Sequence, residues 1–398
     1  MILFLGRVIS WERITIGIDY EEIVKREARW KKVLAMEMPD RVPVLHYIGA
    51  RYWLPLIGFG TRFKDYLWDP GFMLEAQILG TKWILENVKS DFCKIVFYPD
   101  FMWAEDVEPF GAEIIYPDDD SPWVARPNLL QRNDDLAQLE GVDYVHGGLH
   151  GKTITFYREM KKRAEDYEIQ FLDGKVIPVT ECVCMGGGGI IGPTVIAGDL
   201  RGADALALDF YDRPEWVKAL LSIITDKAIG WLDAARAVND KRAFCSYIIE
   251  GATFIGDDGT AQLSPKQFEE FALPVLKKLA LHLHSQGLKV IAHNCGRVDH
   301  LLKYWIEDIG INIYYGFSYL TNKSLMRETM GGKIVLIGGI DTVKLHAGKP
   351  EDVEEDVLQT LRVLGDCPGY VVMDGHNVAP GTPVENLNAM MNAVEKFC

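Results

Sequence analysis

Eight short apolar runs, separated by helical patterns, constrain this chain more than any other feature. They are VPVLHY (42–47), CKIVFY (93–98), VIPVT (176–180), FCSYIIE (244–250), KVIAH (289–293), INIYY (311–315), KIVLI (333–337) and GYVVM (369–373). Most are nearly continuous in apolar character, the pattern of parallel strands buried on both faces. Amphipathic stretches such as SPKQFEEFALPVLKKLALHLHSQG and EDVEEDVLQTLRVLG lie between them. Eight strands alternating with helices predict an α/β chain folded as a (β/α)8 TIM barrel. A doubly wound sheet is the alternative, but it usually carries a switch-point glycine fingerprint, and none is present.

Two additions to the minimal repeat are expected. Residues 1–40 read as an N-terminal helical extension, with Ile23, Val24, Trp30, Val33 and Leu34 on one side and Pro39 as the stop. Residues 41–398 form the barrel domain, and 111–140 insert a hairpin into it. The stretch 185–210 begins as a glycine-rich loop and becomes helical.

Charge and cysteine usage narrow the partners. The net charge of −15 disfavours a polyphosphate backbone, so no nucleic acid is expected. Seven scattered cysteines, an odd number, do not make a disulfide framework and fit a reducing cytoplasm. The opening MILFLGRVIS is too short for a signal core, and no apolar run reaches the roughly 18 residues of a membrane span.

In such a barrel, chemistry gathers at the C-terminal ends of the strands. That rule selects Glu250 after the fourth run, His293 and Cys295 after the fifth, Asp341 after the seventh, and Asp374 with His376 after the eighth. An H-x-C pair supplies one nitrogen and one sulfur, a donor set suited to Zn²⁺. The same spacing also fits a hydrogen-bonded histidine beside a buried thiol. His376 can face the same mouth as His293 in a closed barrel. After the first run, Arg51, Tyr52 and Trp53 can line a pocket or simply cover the barrel top. GDDG (256–259) reads as a turn or, through Asp257, as a substrate contact. Cys182 and Cys184 read as buried thiols or, as a C-x-C pair, as a second soft-metal site.

The segments PDRVPV (39–44), GPTVIAGDLRGADALALDFYDRPEWVKALL (192–221), GDDGTAQLSPKQFEEFALPVLKKL (256–279), AHNCGRV (292–298) and GHNVAPGTPVENLNAM (375–390) together resemble the uroporphyrinogen decarboxylase superfamily. Within it they look most like the corrinoid-dependent zinc methyltransferases. The resemblance implies a (β/α)8 barrel, zinc held by His293 and Cys295, and His376 where the branch has a cysteine. A carboxylate, Glu250 first and then Asp374 or Asp341, is expected to complete the set. Glu250 and Asp374 are the expected acids, and Arg51, Tyr52, Trp53 and Asp257 the expected substrate contacts. The sequence lacks a D-x-H-x-x-G corrinoid motif, so the cobalamin is expected on a partner corrinoid protein. The expected donor is a small methoxylated aromatic, methylamine or methylthiol. Two alternatives are a metal-free decarboxylase and a non-catalytic metal- or corrinoid-binding barrel. The decarboxylases' R-Q-A-G-R segment is reduced here to Arg51, too few charges for an octacarboxylate.

Overall fold

The computed structural model describes residues 3–4, 7–8, 13–58, 63–186, 189–239, 251–375 and 377–397. Its centre is one parallel sheet of six strands: β1 (Gly189–Ile191), β2 (Ala252–Gly256), β3 (Lys289–His293), β4 (Ile313–Phe317), β5 (Val335–Ile340) and β6 (Tyr370–Asp374). Each pairs with the next in chain order, without the reversal that defines a doubly wound sheet. Every residue of β4, β5 and β6 is buried, because helices cover the outside while side chains fill the centre.

Isolated parallel bridges carry the wall onward from β6. Val44 pairs with Val372 and Tyr47 with Asn377, and Phe97 pairs with Val183. Between them the Asp91 amide donates to the Val44 carbonyl at 2.7 Å. The succession is that of a (β/α)8 barrel whose first strands hold only short stretches of ladder.

One of the expected strands needs correction. The run 176–180 is not a barrel strand: Val176–Pro178 pairs antiparallel with Glu168–Phe171, which in turn pairs with Arg13–Ile16. The third barrel position is shared by the Val183 bridge and β1, which leaves β2 to β6 as the fourth to the eighth. The fourth run, 244–250, lies outside the described residues, and the strand found nearby is β2.

The inserted hairpin is present, with Ile114–Ile115 paired to Trp123–Val124. Helix α1 (Tyr20–Leu34) buries Ile23, Trp30 and Val33 against the same core, while Val24 points to solvent. Helices α2 (Pro193–Arg201) and α3 (Ala203–Asp212) follow β1. Among the described residues no helix is long and apolar enough to cross a membrane.

One buried acid makes stability pH-dependent. Glu105 accepts from Thr153 Oγ1 at 2.6 Å, and burial, reinforced by Asp106, pushes it up to about 8. Its folded value lies above the ordinary 4.5, so the fold favours the neutral acid. That contribution is intact below pH 4.5 and is lost as the pH climbs through 8. Denaturation midpoints measured across this window should fall with pH, and Glu105→Gln should flatten the slope.

Candidate metal centre

Parallel strands bring their C-terminal ends to one mouth, and three donors meet there. His293 closes β3 and is buried. Its Nδ1 lies 2.9 Å from the Tyr315 carbonyl, which can only accept, so Nδ1 carries the hydrogen and Nε2 keeps its lone pair. Nε2 lies 3.6 Å from Asp258 Oδ1. The Cys295 amide donates to that same oxygen at 2.6 Å. One ligand atom each from Asp258, His293 and Cys295 lies within 4.8 Å of the others.

The donor chemistry fits a divalent ion. Tetrahedral zinc with nitrogen at about 2.1 Å and sulfur at about 2.3 Å sets its ligand atoms about 3.4–3.8 Å apart. The observed nitrogen-to-oxygen separation falls in that range. Without an ion the cluster is electrostatically uneasy. Burial holds His293 below the usual imidazole range, keeping the ring neutral. Partial enclosure and the Asp258 carboxylate push the Cys295 thiol up to about 12. A cation relieves both effects by accepting the lone pair and stabilising the thiolate.

Gly316 makes room for this arrangement. Its φ is +64°, and an added Cβ would lie 2.7 Å from His293 Nδ1 and 2.8 Å from the Gly375 carbonyl oxygen. Gly316→Ala should cost about 2 kcal/mol, from the left-handed backbone and the crowding. It should also weaken the retention of added zinc by tilting the imidazole. Urea denaturation and metal analysis of the same sample check both effects.

The remaining expected residues divide clearly. Asp257 is fully buried and serves helix α2: it accepts from Thr194 Oγ1, from Thr194 N at 3.4 Å and from Val195 N at 3.3 Å. Its carboxylate is committed to that helix start, so the expected substrate contact is corrected, and its neighbour Asp258 is the residue that reaches the cluster. Sequence reasoning missed Asp258 as a member of the cluster; GDDG flagged the loop but not which carboxylate turns toward the mouth. Asp341 caps the helix Thr342–Ala347 by accepting from Val343 N and Lys344 N, and it is not among the residues gathered in the cluster.

Arg51 is paired with Asp120 at 2.9 Å. Tyr52 is core, donating its hydroxyl to the Thr382 carbonyl at 2.6 Å. Trp53 packs so closely on Gly80 that a Cβ there would lie 2.5 Å from its ring. It also borders a hollow of about 80 Å³ shared with His46, Tyr66 and Asp100. Asp374 closes β6, is buried, and sits opposite Ile340 in the ladder. Glu250 and His376 lie outside the described residues. Cys182 and Cys184 are buried.

The family model for uroporphyrinogen decarboxylase (URO-D) matches residues 26–397. The chain belongs to this family. Curated relatives include the uroporphyrinogen decarboxylase of Anaeromyxobacter sp. (strain Fw109-5), 26% identical over 213 residues, covering 54% of this chain and 57% of that protein. The uroporphyrinogen decarboxylase of Idiomarina loihiensis is 26% identical over 192 residues, 46% of this chain and 49% of that protein. The chain thus spans about half the length of the curated relatives it matches. A solved methyltransferase from Methanosarcina mazei superposes with a TM-score of 0.65 at 19% identity, over 94% of this chain and 98% of that one. At that identity the likeness establishes the fold. Within this URO-D family barrel, the His–Cys–Asp cluster is the feature with the most distinctive chemistry.

Proposed function

We propose that this URO-D family chain is a zinc-dependent methyltransferase, moving a methyl group between a small donor and the cobalt of a corrinoid carried by a separate protein. The convergence of His293, Cys295 and Asp258 carries the reading. These three would hold the ion, with His376 as a further ligand on the strength of the late G-H-N-V-A-P-G-T-P-V-E-N stretch. Bound zinc supplies Lewis acidity toward the donor heteroatom, which otherwise leaves poorly.

The protein's own groups do the rest. The Tyr315 carbonyl fixes the His293 tautomer, and Gly316 leaves its ring the space to stay there. Asp374, buried at the end of β6, is the proposed acid for the leaving heteroatom, with Glu250 as the other proposed carboxyl.

The names of the curated relatives favour a second reading, porphyrinogen decarboxylation. Charge argues against it, because a polycarboxylate needs several free cations and Arg51 is already engaged by Asp120. A screen of methoxylated aromatics, methylamines and methylthiols against cob(I)alamin, with zinc measured in the same protein, separates the readings. Zinc-dependent formation of methylcobalamin is expected. Consumption of uroporphyrinogen without metal would replace this reading with the decarboxylase, and zinc without turnover of any donor would replace it with the carrier barrel.

A further inference from the structure

A cavity of about 430 Å³ opens beside the cluster, with Asp258 in its wall. That is ample for a small organic ligand, since pockets for such molecules run from about 300 Å³ upward. Helices α2 and α3 form one side, the loop 258–263 another, and Arg126 and Asn128 border it from the end of the inserted hairpin. Leu206, Phe210 and Leu263 give it an apolar wall.

Arg126 differs from the arginines around it. Arg132 pairs with Glu113 at 2.9 Å and Arg201 with Asp209 at 2.6 Å. Arg126 has no carboxylate partner among the described residues, in a chain with a net charge of −15. The other ionisable groups in the wall are Asp199, Tyr211 and Asp258. Burial pushes Asp199 up to about 6, so its carboxyl accepts a proton readily when an anion enters. Asp258 is the group the metal would engage.

We propose that this cavity binds a small organic acid, its apolar body against Leu206, Phe210 and Leu263 and its carboxylate on the Arg126 guanidinium. Resting on the methyltransferase reading, the methyl donor is then a carboxylate-bearing molecule whose heteroatom points toward Asp258. The hairpin insertion thereby has a role: among the described residues of the wall it delivers the one cation, which selects the substrate's charge.

Gly198 provides an independent handle. It lines the cavity, and an added Cβ would meet no heavy atom within 4 Å, so Gly198→Leu starts from open space and narrows the cavity. Calorimetric binding of 4-methoxybenzoate and of the neutral 4-methoxybenzyl alcohol to the zinc-loaded full chain tests the proposal without needing turnover. The acid should bind more tightly. Arg126→Gln should weaken the acid by about 10- to 100-fold and leave the alcohol nearly unchanged. Arg126→Lys should recover part of the loss, and Gly198→Leu should weaken both compounds while thermal melting stays unaltered. Equal binding of acid and alcohol, or acid binding indifferent to Arg126→Gln or Gly198→Leu, overturns the proposal. Arg126-dependent acid binding with no methyl donor ever turned over would sustain the cavity assignment and remove only the methyltransferase reading.

Discussion

Replacing Cys295 with serine is expected to remove most of the bound zinc and lower methyl transfer by about 10³-fold. A hydroxyl is a weak ligand at neutral pH, and losing the ion removes several kcal/mol of stabilisation of the leaving group. Two of the three described donors, His293 and Asp258, would remain. His293→Ala should behave similarly, since Nε2 is the buried donor whose geometry the Tyr315 carbonyl fixes. Asp258→Asn keeps one oxygen and should retain part of the metal. Cys295 is exposed and belongs to a loop, so unfolding midpoints should barely move. Metal analysis of each purified variant, beside the cob(I)alamin assay, reads the result. Full zinc occupancy in Cys295→Ser would rule out the assignment of the thiolate as a ligand.

The largest stability effect should follow Asp91→Ala. Asp91 is completely buried and accepts from Arg29 at 3.0 Å, from both Arg41 terminal nitrogens at 2.7 and 3.1 Å, and from the Val44 amide at 2.8 Å. Its backbone carbonyl also accepts from Trp30 Nε1 at 2.9 Å. One carboxylate therefore ties helix α1 and the first barrel strand to the start of the second. Alanine would leave two largely enclosed guanidinium groups without their shared anion, a change that costs about 3–5 kcal/mol. Urea denaturation should show the loss, and α1 should become the earliest segment to exchange its amide hydrogens. A cost below about 1 kcal/mol would mean that water replaces the carboxylate and that the network holds little.

This network also gives physical meaning to the P-D-R-V-P-V stretch. Asp40 pairs with Arg29, and Arg41 reaches Asp91, so the motif fastens the lead-in helix to the barrel. Sequence pattern revealed that something was specified there without showing what. The strands at 289–293, 311–315, 333–337 and 369–373 were legible because their apolar runs are long enough and buried on both sides. VIPVT was misread because a five-residue apolar run suits either a barrel strand or one arm of a hairpin. Asp173–Gly174, with Gly174 at φ +83°, turns the chain back between its two arms. At the site, spacing exposed His293 and Cys295, but not the choice between Asp257 and Asp258. Adjacent residues leave the backbone in different directions, and here one carboxylate turns to the start of α2 while the other faces His293 and Cys295. Nothing in a linear pattern distinguishes them, nor does it show that Gly316 must lack a side chain beside a histidine 23 positions earlier.

Cobalt(II) titration of the metal-free full chain addresses the central assignment most directly. Thiolate ligation gives cobalt a ligand-to-metal charge-transfer band that oxygen and nitrogen donors alone do not. One equivalent should bind, develop that band and compete with zinc; the band should vanish in Cys295→Ser and weaken in His293→Ala and Asp258→Asn. A spectrum without thiolate character, or one unchanged by Cys295→Ser, would contradict a metal centre built on these residues.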